Sequence, residues 1–205
     1  MGFWSEAVLP RLVDWGMNSE GLGRHRARAL VDVRGRVLEV GFGSGLNLPH
    51  YPEGVEAVVG VEPSVLAHRL AARRIEAAPF PVELIPLEGE KIPCADHAFD
   101  VAVSTFSLCT IPGVQDALQQ IRRVLKPGGR FVFLEHGRAP DAAVARWQDR
   151  WNPTWSCMFG GCQTNREIDR LVAEAGFEVE RLDRYYIKGP KFVGHFYRGT
   201  ARSAG

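Results

Sequence analysis

One stretch decides the fold of this chain: Val37-Leu-Glu-Val-Gly-Phe-Gly-Ser-Gly45. An apolar, β-favouring run is followed by three glycines at alternate positions, which predicts a buried strand that ends in a tight turn. Glycine accepts positive φ angles and lets a ligand come close to the backbone. Such a turn at the carboxyl end of a parallel strand is where an α/β sheet binds a nucleotide-like ligand.

The spacing and charge of this turn favour S-adenosylmethionine (SAM) over a dinucleotide. The dinucleotide fingerprint is G-x-G-x-x-G, whereas the glycines here read G-x-G-x-G and Leu46 takes the place of the last glycine. Glu39 lies in the strand itself, where a carboxylate disfavours a pyrophosphate but attracts the sulfonium and ammonium charges of SAM. An ordinary glycine-rich strand-to-helix turn is the alternative.

A second acid supports the same cofactor. Residues 55–61 have the pattern of the next strand, and Glu62 follows them directly. Glu62 lies about 20 residues after the first glycine, where an acid can accept hydrogen bonds from ribose hydroxyls. Pro63 suits the first turn of the following helix. A carboxylate that only stabilises the helix dipole is the alternative, and both roles can hold together.

Composition and charge fit one globular domain and disfavour several partners. The chain has 205 residues, of which 45% are hydrophobic, and a formal net charge of +1. We therefore expect a single domain over 1–205 with a sizeable core and no general attraction to nucleic acid or acidic lipid. No secretory signal is evident, and no apolar run reaches the roughly 18 residues of a membrane span. These features predict a cytoplasmic protein without an integral membrane segment.

The cysteines predict neither disulfides nor a metal site. They are Cys94, Cys109, Cys157 and Cys162, and none forms a C-x-x-C pair. Cys157 and Cys162 are five residues apart and lack the matching His/Cys pair of a zinc site. We expect reduced thiols and no bound metal.

Strand and helix patterns alternate along the chain, which implies a mostly parallel sheet with helices on both faces. Helical patches precede the first strand, and Pro10 interrupts them. Thr164-Asn-Arg-Glu167 has the form of a capping box that opens a helix. The predicted strands are 36–40, 55–61, 82–86, 99–105, 130–135, 177–185 and 192–201, and the predicted helices are a short one after the glycines, 63–77, 114–125 and 164–175.

Several of these motifs occur together in a known family. The glycine turn, Glu62, the pair Phe99-Asp100 and the run Leu125-Lys-Pro-Gly-Gly129 follow in order within residues 36–136. In this combination the chain resembles the class I SAM-dependent methyltransferases. The resemblance implies an α/β fold with a Rossmann-like, doubly wound sheet of seven strands, mostly parallel with the last strand antiparallel.

Within that class, three stretches look most similar to the methyltransferase-like thiol S-methyltransferases and their bacterial relatives with a type 11 methyltransferase domain. They are Ser107-Leu-Cys109, Glu135-His136, and the Trp-rich segment that ends in Gly161-Cys162 before Asn165-Arg166. The ubiquinone/menaquinone C-methyltransferases and bacterial phospholipid N-methyltransferases share the core motifs, and the match to them is less close.

The resemblance also implies a cofactor site, residue by residue. Glu39 would lie near the methionine ammonium of SAM, and Glu62 would hold the ribose diol. An aspartate is commoner than a glutamate at the position of Glu88. The further contacts that the resemblance implies are Gly41, Gly43, Gly45 and Asn47 in the turn, Pro63 along the adenine, Glu88 and Gly89 at the adenine edge, and Ser104 and Thr105 where the methyl group should point.

The expected acceptor is a small, largely apolar molecule, with a thiol as the first candidate. Methyl transfer from a sulfonium already has an activated leaving group, so the protein mainly has to align donor and acceptor. A thiol reacts as its thiolate, and His136 is the candidate to take the proton or to orient the acceptor. A histidine bonded to backbone is the alternative for His136. Cys109 is expected to line the pocket.

Two segments are predicted to cover the acceptor. Residues 137–163 form the expected substrate lid, in which Trp151 and Trp155 would contact the acceptor. A packing stripe on one helix, interrupted by Pro153, is the alternative. Residues 1–34 form the expected N-terminal helical cap, in which Trp4 and Trp15 could fold over the same opening.

Other functions stay open. Quinone C-methylation and phospholipid N-methylation are alternatives within the class. An NAD-linked oxidoreductase is disfavoured by Leu46, Glu39 and the Lys-Pro-Gly-Gly turn. A non-catalytic SAM-binding protein is the remaining alternative, and the balanced charge disfavours a nucleic-acid partner.

Overall fold

The computed structural model describes residues 8–86 and 91–203. Helices and strands alternate, as the sequence predicts. The strands are β1 Gly35–Val40, β2 Val55–Val61, β3 Val82–Ile85, β4 Phe99–Thr105, β5 Leu125–His136, β6 Phe177–Tyr186 and β7 His195–Ser203. The helices are α1 Leu9–Met17, α2 Glu20–Leu30, α3 Val65–Glu76, α4 Val114–Val124, α5 Ala142–Met158 and α6 Ile168–Glu174, with a short 3-10 helix at Leu48–His50.

The strands form one sheet in the order β3-β2-β1-β4-β5-β7-β6. The neighbours from β3 to β5 pair in parallel, whereas β7 is antiparallel to both β5 and β6. The predicted fold class is therefore confirmed. The strand order reverses between β1 and β4, and ligands bind beside the carboxyl ends of strands at such a switch point.

Both faces of the sheet are covered, which explains why β1 and β4 are apolar on both sides. Alternate residues of one strand point to opposite faces, and the core accordingly divides into two clusters. Leu38 belongs to one cluster together with the buried face of α4, and Val37 belongs to the other together with Leu30 of α2.

The predicted capping box at Thr164 is wrong. Helix α6 begins at Ile168 after Glu167, which makes no side-chain cap hydrogen bond. Thr164 is buried, and its backbone N–H donates to Asn152 Oδ1 of α5 at 2.8 Å. The backbone N–H of Thr164, which a capping box would pair with Glu167, is thus bonded to a residue of another helix. Gly176, with a φ of 84°, follows the end of the helix, which lies within one residue of the predicted end at 175.

Other element boundaries also differ from the predicted ones. Pro63 precedes α3 instead of lying in its first turn, and Ser64 caps the helix by accepting from the Ala67 N–H at 3.2 Å. Strand β5 begins at Leu125, and its pairing with β4 jumps from Phe99↔Leu125 to Val101↔Arg130. The predicted turn at 126–129 is therefore an irregularity within the strand.

Strand β7 begins at His195, three residues later than predicted. Helix α5 continues through Pro153, so the proline does not interrupt it. Within the described ranges, 8–86 and 91–203, no helix has the length and apolar character needed to cross a membrane.

Candidate functional site

The glycine turn lies at the switch point of the sheet. Gly41, Gly43 and Gly45 have φ angles of 73°, 56° and 76°, which other residues rarely adopt. A Cβ atom on Gly41 would come within 2.0 Å of Ser107 Oγ, whereas one on Gly43 would meet nothing closer than 4.0 Å. Gly41 is therefore required by packing, and Gly43 presents bare backbone to open space where a ligand can approach.

Glu62 joins the end of β2 to this turn. Its Oε2 accepts from the Gly43 N–H at 2.8 Å, and its Oε1 accepts from the Ser64 N–H at 2.9 Å. A carboxylate oxygen can accept more than one hydrogen bond, so Glu62 keeps the capacity to bind hydroxyl groups.

Glu39 belongs to a buried set of hydrogen bonds at the end of β1, which we call the Glu39 network: Arg26, Glu39, Asn47, Tyr51 and Thr105. Glu39 is 2% exposed and accepts from Asn47 Nδ2 at 2.8 Å and from the Tyr51 hydroxyl at 2.7 Å. Arg26 Nη1 donates to Asn47 Oδ1 at 2.8 Å and to Thr105 Oγ1 at 2.6 Å. The network thus connects α2, β1, the glycine turn and β4.

Burial dominates the electrostatics of this network. It raises the pKa of Glu39 to about 7, although the hydrogen bonds from Tyr51 and Asn47 and the charge of Arg26 oppose the rise. Burial also lowers the pKa of Arg26 to about 10, which Glu39 and Glu135 partly offset. A carboxylate poised near neutral pH beside a ligand crevice can respond to the charge of a bound cation.

The hydroxyl of Ser104 has a structural partner. Ser104 Oγ donates to Glu135 Oε1 at 2.8 Å, and the same oxygen accepts from the N–H groups of Ser107 and Leu108 at 3.0 and 3.1 Å. Glu135 is buried, so this carboxylate fixes the loop that follows β4. Nothing in the sequence brings Glu135 to that loop, 27 or 28 residues earlier in the chain, so this role could not be predicted.

A largely apolar cavity of about 430 Å³ lies beside the ends of β4 and β5. Three of the predicted acceptor residues line it: Cys109, His136 and Trp155. Trp151 is 46% exposed, packs against Trp147 with ring centroids 5.4 Å apart, and is not among the cavity-lining residues. Among the other lining residues are Leu9, Leu12, Val13, Met17, Phe106, Phe159, Lys188 and Phe196.

The polar atoms of four side chains meet at the wall of this cavity. His136 Nε2 lies 3.1 Å from Cys162 Sγ, and Cys162 Sγ lies 3.8 Å from Cys109 Sγ. The Trp155 indole N–H also faces Cys162 Sγ at 3.4 Å. Cys109 and burial both raise the pKa of the Cys162 thiol. His136 therefore has a side-chain partner, and its Nδ1 makes no hydrogen bond to the part of the chain that the structure describes.

Helix α1 borders both the glycine turn and the cavity. Asp14 Oδ1 accepts from Ser44 Oγ at 2.5 Å and from Arg74 Nη1 at 2.9 Å, while Leu12 and Val13 line the cavity. Trp15 is 82% exposed and is not among the residues that line the cavity. Trp4, Glu88 and Gly89 lie outside the described residues.

Comparisons with known proteins agree with this architecture. A family model described as a methyltransferase domain matches residues 38–133. The chain is 34% identical over 168 residues to the thiol S-methyltransferase TMT1B of Rattus norvegicus, covering 77% of the chain and 68% of the relative. It is 33% identical over 165 residues to a phosphatidylethanolamine N-methyltransferase of Cereibacter sphaeroides, covering 76% of the chain and 77% of the relative.

A solved structure gives the same fold. A SAM-dependent methyltransferase from Thermotoga maritima superposes with a TM-score of 0.70 at 19% identity, covering 98% of this chain and all of that one. The sheet order and the glycine turn define the class I methyltransferase architecture. The chain belongs to the SAM-dependent methyltransferases, and SAM is its methyl donor.

Proposed function

We propose that this enzyme transfers the methyl group of SAM to a small, largely apolar thiol. The observation that carries the proposal is the cavity at the ends of β4 and β5, which is apolar except for a few polar groups, among them Cys109, His136 and Cys162. Cavities of this size and character bind small apolar molecules. Helix α1 forms part of the cavity wall and contacts the glycine turn, so donor and acceptor sites adjoin each other.

The cofactor side of the proposal rests on the residues at the switch point. Glu39 supplies negative charge for the methionine ammonium, acting through the Glu39 network, and Glu62 supplies acceptors for the ribose hydroxyls. Gly43 leaves room for close approach. SAM supplies a methyl group on a sulfonium, a leaving group that needs no further activation. The remaining proposed contacts are Gly41, Gly45, Asn47, Pro63, Glu88, Gly89, Ser104 and Thr105.

The charge of the cavity favours a neutral acceptor over an amine. Among the described residues that line it there is no Asp or Glu, and Lys188 carries positive charge. An alkylammonium ion would lose its hydration there without a compensating carboxylate. A neutral thiol enters an apolar site at little cost and needs only to lose its proton close to the methyl group. His136, at the cavity wall, is the group proposed to orient the acceptor thiol.

The acceptor is tested by labelled methyl transfer to a matched panel. An alkanethiol, the alcohol and the primary amine of the same chain length, a hydroquinone, and vesicles containing phosphatidylethanolamine are each offered with SAM. We expect kcat/KM for the thiol to exceed that for the matched amine at least about tenfold, or about 1.4 kcal/mol. Preferred methylation of the hydroquinone or of the lipid amine would contradict the proposal, as would SAM binding without turnover on any member of the panel.

A further inference from the structure

We propose that Cys109, His136 and Cys162 bind a Zn²⁺ ion whose fourth position opens onto the apolar cavity and takes the acceptor sulfur. We call these three side chains the Cys2His cluster. The role of the ion in transfer rests on the proposed thiol acceptor, whereas the site itself rests on the geometry of the cluster.

The distance between the two sulfurs fits a tetrahedral zinc ion, and the distance from His136 Nε2 to Cys162 Sγ lies within about 0.4 Å of the expected edge. The two Sγ atoms are 3.8 Å apart, His136 Nε2 is 3.1 Å from Cys162 Sγ, and the three ligand atoms lie within 4.8 Å of one another. Zinc bonds of about 2.3 Å to sulfur and about 2.0–2.1 Å to nitrogen at tetrahedral angles give edges of about 3.8 Å between sulfurs and about 3.5 Å between nitrogen and sulfur. The sulfurs already stand at the distance of a shared metal, whereas a disulfide requires about 2.0 Å.

The types of ligand select the metal. Thiolate and imidazole ligands together suit Zn²⁺, whereas magnesium and calcium require oxygen ligands. Three protein ligands with an open fourth position are typical of catalytic zinc, whereas structural zinc is usually enclosed by four. The cavity lies against all three ligands, so a small molecule can reach the remaining position.

Hydrogen bonds hold the ligands together from distant parts of the chain. Cys109 follows β4, His136 ends β5 and Cys162 follows α5. The Gln163 N–H donates to the Cys109 carbonyl at 2.8 Å, and Arg166 Nη1 donates to the Ile111 carbonyl at 2.8 Å. These bonds attach the segment after α5 to the loop after β4, so the cluster is organised by backbone as well as by its side chains.

Trp155 contributes a hydrogen bond of the kind that surrounds metal-bound thiolates. Its indole N–H faces Cys162 Sγ at 3.4 Å, and its ring forms part of the cavity wall. A donor to a ligating sulfur orients the ligand and tunes the site. Cys157, which belongs to α5, is exposed and outside the cluster.

A zinc ion here would activate the acceptor without a general base. Coordination to a metal ion deprotonates a thiol, and the proton leaves through the cavity to solvent. The metal-bound thiolate donates an electron pair to the methyl carbon as the bond from that carbon to the sulfonium breaks, and the second electron pair stays on the departing sulfur. No oxidation or reduction occurs. The thioether product is neutral and a weaker ligand than a thiolate, so it is released, and His136 acts as a ligand.

The test measures metal content first, independently of transfer. The purified full chain is loaded with Zn²⁺, dialysed and analysed for metal, with an expected stoichiometry of about one per chain. Cys109→Ala and Cys162→Ala should each lose most of the bound zinc, while the matched control Cys157→Ala keeps it. Thermal unfolding and SAM affinity of each variant show that the fold is intact.

Cobalt substitution then tests the open position. Co²⁺ should give a thiolate-to-metal charge-transfer band in the wild type and in Cys157→Ala that is absent in Cys109→Ala, and an added alkanethiol should change it. Zinc-free wild-type protein, equal zinc retention in Cys109→Ala, or a Cys109–Cys162 disulfide found by mass spectrometry would overturn the site. Thiol methylation that survives removal of zinc by a chelator would overturn the activation role and leave the proposed acceptor intact. Bound zinc without thiol methylation would support the site and contradict the acceptor.

Discussion

The two halves of the proposed site are built on different principles. On the proposed cofactor side, hydrogen bonds hold the Glu39 network together and tie Glu62 to the glycine turn. Glu39 lies in β1, Glu62 directly follows β2, and the turn lies in the connection between these two strands. On the acceptor side, an apolar cavity gathers residues from α1, from the loop after β4, and from the segment around the end of α5. A donor shared across a family can be held by a fixed polar frame, whereas acceptor choice can vary with loops and covering helices. Substitutions on each side show whether the two halves act independently.

The largest effect is expected from Glu39→Ala. The change leaves the Tyr51 hydroxyl without its acceptor and removes one of the two acceptors of Asn47 Nδ2. It also removes the Glu39 charge that favours the buried Arg26 guanidinium. Removing one charge from such a buried set costs about 3–5 kcal/mol, measured as the free energy of unfolding in urea. Glu56→Ala, at an exposed position of β2, should change it by no more than about 0.5 kcal/mol. Equal effects would mean that the network does not hold the cofactor side together.

The next effect separates cofactor binding from backbone strain. Gly43→Ala adds a Cβ to the open side of the turn, so we expect the Kd for SAM to rise at least about tenfold, or about 1.4 kcal/mol. Gly128→Ala is the matched control, since Gly128 has a φ of 72° and nothing within 4 Å of an added Cβ. Both variants should lose about 1–2 kcal/mol of stability to the positive φ. An unchanged Kd in Gly43→Ala would remove the turn from the cofactor site.

Trp155→Ala should affect only the acceptor half. It removes the stacking on Phe159, with centroids 4.0 Å apart, and opens the cavity wall. A lost aromatic contact of about 0.5–1.5 kcal/mol predicts a severalfold to tenfold rise in acceptor KM, with an unchanged Kd for SAM. Trp147→Ala, at a half-exposed position of the same helix, should change neither the acceptor KM nor the Kd for SAM. A parallel loss of SAM affinity in Trp155→Ala would show that the halves are coupled.

The smallest effect is a pH dependence of SAM affinity. Burial raises the pKa of Glu39 to about 7, and a bound cation favours the ionised carboxylate, so binding releases a proton. Affinity should therefore rise as the pH increases through 7, by up to about tenfold if binding lowers the pKa by about one unit. Calorimetry in buffers between about pH 6 and 7.5 measures the rise, below the titration of the ligand amine.

Glu39→Gln is the control for this pH effect, because it keeps the shape of the side chain and removes its titration. If SAM affinity still rises with pH in Glu39→Gln, another titrating group causes the pH dependence. In the protein without SAM, the contribution of Glu39 to the free energy of unfolding should fall as the pH rises, which is opposite to the trend in SAM affinity. The folded pKa of Glu39 lies above its ordinary value of 4.5, so the favourable contribution of the protonated form is complete below that value and lost as the pH rises through 7.

Agreement between sequence and structure follows the range of the interactions. The buried first strand, the glycine turn that follows it and the end of α6 near residue 175 depend on local pattern, and the predictions of all three are confirmed. The capping box at Thr164 is wrong because Asn152, twelve residues away, competes for the same backbone N–H. Local rules do not include such a competitor.

The sequence by itself determined the alternation of strands and helices, the glycine turn and the class of methyl donor, because alternating apolar runs and glycine spacing act over a few residues at a time. Only the tertiary structure decided that Arg26 and Tyr51 complete the buried network. It also decided that Cys162, and not Cys157, lies beside Cys109 and His136. These partners are separated along the chain by loops and whole helices, and they come into contact because of how the helices pack on the sheet. The spacing of residues along the chain does not predict that packing.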